Sequence, residues 1–126
     1  MSREKGAALL LLLLIAVSAW NIRAADRLCS RIETQLKQTE YSAQMGNWDA
    51  ASYAMEQALT IWLNAEGYTH IFIRHAEIDS CSDVFYDCMA ASLGRNSEEL
   101  SANLAKLRYH LNSIAAMEQI ALGNIF

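Results

Sequence analysis

The sequence contains no proline and only five glycines in 126 residues. Without proline, no residue is compelled to break a helix by losing its backbone N–H donor. Ala, Leu, Glu, Gln and Met, which are strong helix formers, dominate the composition. We therefore predict an all-α protein with a single folded domain. Four of the glycines lie where a predicted helix begins or ends: Gly6, Gly46, Gly67 and Gly94.

Positive charge is scarce in the chain beyond Arg23. That part carries thirteen Asp and Glu residues against seven Lys and Arg residues, a net charge of −6. Nucleic acids are bound by clustered Lys and Arg, so this balance predicts a protein that does not bind nucleic acid. The same balance argues against the folded part lying flat on an anionic membrane surface.

The sequence also lacks the short motifs of common enzyme classes. It contains no serine nucleophile elbow, no phosphate-binding loop and no metalloprotease motif. A cysteine nucleophile needs a base beside it, but His75 and Cys81 are six residues apart and fall on opposite faces of one predicted helix. We therefore predict that the protein is not an enzyme.

The three cysteines do not suggest a disulfide within one helix. Cys81 and Cys88 lie about 10.5 Å apart along a helix axis, beyond the limit of about 7 Å between Cα atoms. Cys29 reaches either of them only across a helix interface, and the odd count leaves at least one cysteine free or paired with another chain. Burial as small hydrophobic side chains is the usual role of such residues.

One long segment lacks charge altogether. Gly6 to Ile22 form a run of 17 uncharged residues that includes a leucine block from Leu9 to Leu14. A membrane-spanning helix needs about 17–25 residues, and Trp20 suits the headgroup region near the end of such a helix. We predict a signal anchor in residues 1–23.

Two alternatives to the anchor remain. The basic start, the apolar stretch and Val17-Ser18-Ala19 also fit a signal peptide that is cleaved near Ala19, which would leave a secreted domain. A core helix of a soluble protein fits poorly, because the leucine block has no polar face. With the anchor retained, we predict a single-pass protein of the cell membrane, with residues 24–126 as an extracytoplasmic domain.

Four amphipathic helices follow the apolar run, each with apolar residues three or four positions apart. Gly46 and Asn47 form the first turn, with Asn47 as the next N-cap. Asn96 caps the last helix, with Glu99 as its capping-box partner. Short turns make neighbouring helices antiparallel, which predicts an up-down bundle of about four helices or a pair of helical hairpins. The predicted helices cover residues 24–44, 48–65, 69–93 and about 97–123. Gly94 stops the third of them and Gly123 ends the fourth. Glu40 is predicted to face outward from the first.

Chemically reactive side chains are concentrated between Ile71 and Met89. His75 and Asp79 are four residues apart and therefore neighbours on a helix, where they could help to hold a divalent metal. A structural zinc site needs four ligands, and one histidine on this helix falls short of that number. We interpret His75 as a packing residue and predict no metal and no cofactor. A metal-binding or sensory domain that uses His75 and Asp79 is the alternative.

Two further pairs of residues have side chains that are common in functional sites. Glu77 and Asp79 are two residues apart, so they point to different helix faces and cannot act as a carboxylate pair. Trp48 and Trp62 are fourteen residues apart on one side of the second helix. We predict that they anchor the core, burying about 200 Å² each, and the alternative is an aromatic wall for a ligand.

Several of these elements together resemble a family of short bacterial proteins known as domain of unknown function 4363. The resemblance lies in Trp48-Asp49-x-Ala51, Trp62, His75-x-Glu77-Ile78-Asp79, the spaced Leu104, Leu107, Leu111 and Ile114, and the closing Leu122-Gly123-Asn124-Ile125-Phe126. It implies an N-terminal membrane helix followed by a small helical domain, found mostly in spore-forming bacteria. It implies no reaction and no ligand, and marks as structural motif residues Trp48, Trp62, His75, Glu77, Asp79 and Asn124.

These observations together predict a function in binding rather than in catalysis. We expect a membrane-anchored helical domain that binds or scaffolds another protein of the bacterial cell envelope, with a link to sporulation that the resemblance implies. The predicted partners are the membrane, through residues 6–22, and an unidentified envelope protein.

Overall fold

The computed structural model describes residues 2–65 and 75–125 of the chain. These residues form no strand, so the all-α prediction is confirmed for this part of the chain. The predicted start of the third helix, near residue 69, lies outside the described residues. The helices of the described part are α1 (Ser2–Gln44), α2 (Trp48–Asn64), α3 (His75–Leu93) and α4 (Ser97–Ile125).

The four helices pack as an up-down bundle. α1 contacts α2 and α4, and α3 contacts the same two helices, so each helix has two neighbours. The short turns at Gly46 and Gly94 reverse the chain direction between α1 and α2 and between α3 and α4. Arg108 of α4 reaches Glu33 and Glu40 of α1, while Leu111 lies beside Cys29, so α1 and α4 are also antiparallel.

A single apolar core fills the space between the helices. The predicted apolar stripes of the helices form this core. The five stripe residues of α4 are each at most 3% exposed: Leu100, Leu104, Leu107, Leu111 and Ile114. Removing this apolar surface from water is the main force that holds the bundle together. The largest fully buried apolar side chains come from all four helices and include Trp62, Phe85, Ile32, Leu36, Met55, Ile78, Leu104 and Leu107.

The turn between α1 and α2 forms at Gly46 and Asn47, as predicted. Gly46 has φ +76°, a left-handed conformation that favours glycine. The Asn47 N–H donates to the carbonyl of Ser42 at 2.8 Å, which closes the end of α1. The Asn47 side chain then caps α2, because its Oδ1 accepts from the N–H of Ala50 at 3.2 Å.

The turn between α3 and α4 has the same hydrogen-bond pattern with a different residue at its centre. α3 ends at Leu93 as predicted, but the left-handed residue is Arg95, with φ +53°, and not Gly94. The Asn96 N–H donates to the carbonyl of Ala91 at 3.1 Å, as it does in a helix-terminating motif. The prediction that α3 stops at Gly94 is therefore confirmed, and the left-handed conformation falls on the next residue, Arg95.

The predicted caps of α4 have different outcomes at its two ends. The Glu99 N–H donates to Asn96 Oδ1 at 3.1 Å, and the Asn96 side-chain amide donates to Glu99 at 3.2 Å, so the N-terminal cap is confirmed. The prediction that Gly123 ends the helix is wrong, because α4 continues to Ile125. Glycine costs a helix only about 1 kcal/mol relative to alanine and does not by itself stop it.

The N-terminal part of α1 extends away from the core. α1 is one uninterrupted helix of 43 residues, which joins the predicted anchor directly to the bundle. The large apolar side chains between Leu9 and Val17 are 42–64% exposed. Across residues 2–65 and 75–125, no helix has the length and apolar character that a membrane crossing requires. The predicted transmembrane helix is therefore not supported.

Candidate functional site

The predicted polar motif at the start of α3 does not form a described site. His75 is the first residue of α3, and its side chain lies outside the described part of the structure, as does that of Asn124 in α4. Glu77 is half-buried and Asp79 is exposed. No group of three or more His, Cys, Asp and Glu side chains in the described part could hold a metal ion. The alternative that uses His75 and Asp79 stays a prediction.

Trp62 is a structural anchor, as predicted. Its side chain is 1% exposed and stacks on the ring of Phe85 from α3, with ring centroids 5.4 Å apart. The indole Nε1–H donates to the hydroxyl of Ser82 at 2.8 Å, so the one polar atom of the ring is paired. These contacts join α2 to α3. Trp48 is half-buried and packs against the edge of the core.

Two of the cysteines belong to the core. Cys81 and Cys88 are fully buried thiols, and neither forms a disulfide. Burial is the main reason why the pKa of Cys81 rises to about 12, and the neighbouring thiols and Glu77 add to it. Burial also raises the pKa of Cys88 to about 12. A thiol that keeps its proton is a poor nucleophile, so the predicted packing role fits both residues.

An ion-pair cluster that the sequence analysis missed connects α1 to α4. The guanidinium of Arg108 lies between two carboxylates of α1, with Nε 3.0 Å from Glu33 and Nη2 2.8 Å from Glu40. Glu33 and Glu40 are seven residues apart, so they lie on the same side of α1. Glu40 was predicted to face outward, but it is half-buried because it turns toward Arg108.

The two carboxylates stabilise the charged form of Arg108. Partial burial alone would lower the pKa of the guanidinium, but the hydrogen bond to Glu40 and the charges of Glu33 and Glu40 outweigh it, so the pKa is raised. The partners are separated from Arg108 by 75 and 68 positions in the chain. The only available signal in the sequence was the spacing of seven between the two glutamates.

Replacing Arg108 with methionine is expected to lower the free energy of unfolding by about 1–2 kcal/mol. The cost arises because two half-buried carboxylates lose their partner, and partial exposure of the ion pairs limits it. Urea denaturation at low and high salt measures the effect, which salt should reduce. Lys106→Met is the matched control on α4, where the exposed lysine has no ion pair with any described residue. Equal losses for the two variants would contradict the prediction.

Beside this cluster, an open groove of about 840 Å³ runs between α1 and α4. Its lining includes two acidic side chains, Asp26 and Glu33, and two basic ones, Lys37 and Arg108. The sulfur of Cys29 lies within the groove, 3.8 Å from the carbonyl oxygen of Leu111. The other groove residues are Ser30, Thr34, Leu111, Asn112 and Ala115.

The groove combines charged, amide and hydroxyl side chains. It is open to solvent along two helices, and its polar groups are ionised or hydrogen-bonding side chains of mixed type. Mixed charges and exposed amide and hydroxyl groups suit the rim of a protein–protein interface, in which polar side chains of a partner are bound. None of the described carboxylates of α3 lines the groove.

In the part of the chain that the structure describes, fold and surface together define a class: small helical bundles with a polar groove between two helices and an apolar helix end outside the core. The model of the family DUF4363, a domain of unknown function, matches residues 19–125. The chain therefore belongs to this family, and the resemblance inferred from its sequence is confirmed. No curated protein and no solved structure matches the chain significantly.

Proposed function

We propose that this protein is a non-catalytic, membrane-anchored domain that binds or scaffolds another protein of the bacterial cell envelope. The observation that carries the proposal is the continuity of α1. One helix displays an uncovered apolar surface from Leu9 to Val17 and then forms one side of the bundle. Such a helix holds the domain at a fixed position relative to whatever covers its apolar end.

Lipid is the proposed cover of the apolar end. The uncharged run from Gly6 to Ile22 is about 25 Å long as a helix, at the short limit for crossing a hydrocarbon layer of about 30 Å. A soluble monomer rarely leaves such a large continuous apolar patch in contact with water. Basic side chains flank the run on both sides, with Arg3 and Lys5 before it and Arg23 and Arg27 after it, so their count does not set the orientation. In the proposed arrangement, the short N-terminal tail lies on the cytoplasmic side and the bundle outside the membrane.

The groove between α1 and α4 is the proposed contact surface for the partner protein. Its Asp26, Lys37 and Arg108 offer charges of both signs within one exposed depression. Complementary charges give an interface specificity and a fast association rate more than they give affinity. Because tethering confines both proteins to the membrane region, a weak and specific contact suffices for scaffolding.

Anchoring is tested by placing charges in the apolar run of the full chain. Leu11→Glu with Leu13→Glu is expected to move the protein from the membrane fraction to the soluble fraction, because charged side chains are costly in hydrocarbon. The matched control is Leu63→Glu with Leu93→Glu, which alters two exposed leucines of the bundle and should leave the protein in the membrane. Intact-mass measurement of the membrane fraction distinguishes the cleaved alternative, in which Met1 to Ala19 are lost.

Partner binding is tested by photo-crosslinking in cells from the groove. A photoreactive residue at Asn112, which is exposed in the groove, should give a specific crosslinked species. The control position is Glu56, an exposed residue of α2 that lies outside the groove. The crosslink should also disappear in the variant with a charged apolar run. Identical products from both positions, or none above background, would overturn the proposed interaction.

A further inference from the structure

Three arginines form a basic stripe on α1 immediately beyond the apolar run. Arg23, Arg27 and Arg31 are four residues apart, so they occupy successive turns on one face of the helix and span about 12 Å. We call these three residues the arginine stripe. Trp20 precedes them on the same face and is 65% exposed. The arginine stripe therefore begins where the exposed apolar surface of α1 ends.

The arginine stripe is available to a ligand. All three side chains are exposed, and together with Trp20, Ala24 and Leu28 they line one shallow depression of about 230 Å³. Among the described side chains, no acidic one lines this depression. Among the residues that the structure describes, none forms an ion pair with any of the three arginines. Asp26, the nearest acidic residue in the chain, lines the groove between α1 and α4 instead.

The stripe differs in charge from the rest of the domain. Beyond Arg23 the chain has a net charge of −6, yet two of its seven positive residues, Arg27 and Arg31, lie in this stripe next to Arg23. A dispersed arrangement would place most of the domain's positive charges near carboxylates. Three arginines that line one depression favour a negatively charged ligand there.

We propose that the arginine stripe binds the phosphate groups of anionic phospholipids, in the leaflet next to the bundle. This inference depends on the anchoring proposed above, because an apolar run in the hydrocarbon places the stripe at the depth of the headgroups. An exposed indole beside the stripe fits the same depth, where tryptophan concentrates. Arginine guanidinium groups bind phosphate with two hydrogen bonds, and basic side chains near a membrane attract anionic lipids.

Binding to the lipid also gives the negative bundle an orientation. Headgroup phosphates attract the stripe and repel the acidic remainder of the domain. The bundle is then held upright with α1 along the membrane normal, and its groove between α1 and α4 faces sideways. In this orientation a neighbouring membrane protein can reach the groove.

The test uses the full chain reconstituted in vesicles of phosphatidylcholine, with a third of the lipid replaced by phosphatidylglycerol. Flotation first reports insertion. The lipid that remains with the protein after mild detergent extraction is then measured by mass spectrometry. We expect the ratio of phosphatidylglycerol to phosphatidylcholine to rise on the order of tenfold above its value in the vesicle, with little enrichment when the extraction is done at high salt.

Two triple variants distinguish the stripe from general charge. Replacing Arg23, Arg27 and Arg31 with glutamine should abolish the enrichment while flotation persists. The control removes three charges elsewhere on the exposed surface, by Lys37→Gln, Arg95→Asn and Lys106→Gln, and should keep the enrichment. Asparagine is chosen at residue 95 because it tolerates the left-handed backbone there.

The possible outcomes separate the two proposals. Flotation without enrichment, or enrichment that survives in the arginine variant, would overturn lipid binding by the stripe and leave the anchor in place. Failure to float on vesicles of either composition would overturn the anchor itself. Loss of enrichment in the control variant alone would also contradict the inference, since the stripe is intact in that protein.

Discussion

Replacing Trp62 with alanine is expected to lower the free energy of unfolding by about 3–5 kcal/mol. The side chain is fully buried, stacks on Phe85 and donates a hydrogen bond to Ser82, so truncation leaves a large cavity and an unpaired hydroxyl. Small domains have only about 5–15 kcal/mol of stability, so this loss is a large share of the total. Urea denaturation followed by far-UV circular dichroism measures it.

Two variants show which contact of Trp62 carries the effect. Trp62→Phe preserves most of the apolar volume and the stacking, and we expect a loss of about 1–2 kcal/mol from the missing hydrogen bond and volume. Trp48→Ala is the control for a tryptophan on the same helix, since Trp48 is only half-buried at the edge of the core. A loss from Trp48→Ala as large as that from Trp62→Ala would contradict the assignment of Trp62 as the main anchor.

Raising the pH from 9 to 12 is expected to unfold the bundle through Cys81 and Cys88. An unfolded cysteine loses its proton near its ordinary pKa of 9.0, while burial keeps the folded thiols protonated up to about pH 12. The stability that these thiols contribute is fully present below pH 9 and is lost as the pH rises toward 12. Each thiol is expected to remove about 1–1.5 kcal/mol per pH unit within that range.

The variant Cys81→Ala with Cys88→Ala isolates this effect from the titration of other groups. Its stability at pH 8 is expected to be lower because of small cavities, but its decline between pH 9 and 11 should be shallower than that of the native protein. Urea denaturation at a series of pH values measures both slopes. Parallel slopes would show that the buried thiols are not responsible. Labelling with a thiol reagent at pH 8 should be slow at both cysteines until urea is added.

Periodicity alone predicted the main features of the bundle. The absence of proline and the spacing of apolar residues identified the stripes of α1, α2 and α4, whose residues are buried in the core or packed half-buried against it. The turn at Gly46 and the caps at Asn47 and Asn96 were also predictable. These features depend on residues close together in the chain, and local geometry determines them.

Sequence patterns were a poorer guide at the ends of helices, where several neighbouring residues can end the helix or adopt the left-handed conformation. The left-handed residue after α3 is Arg95, a position that nothing in the sequence singled out. Gly123 was expected to end α4, but the helix continues to Ile125. Preferences of about 1 kcal/mol separate such options, and contacts made elsewhere in the fold can outweigh them.

The sequence by itself determined that this chain is helical, that its helices have one apolar face each, and that an uncharged run precedes them. Only the tertiary structure decided that Arg108 joins Glu33 and Glu40, that Trp62 meets Phe85, and that a groove lies between α1 and α4. Helical periodicity defines which residues share a face, whereas contacts between helices depend on how those faces are paired and aligned. That pairing results from packing the whole core at once, because each helix can bury its stripe only against the others.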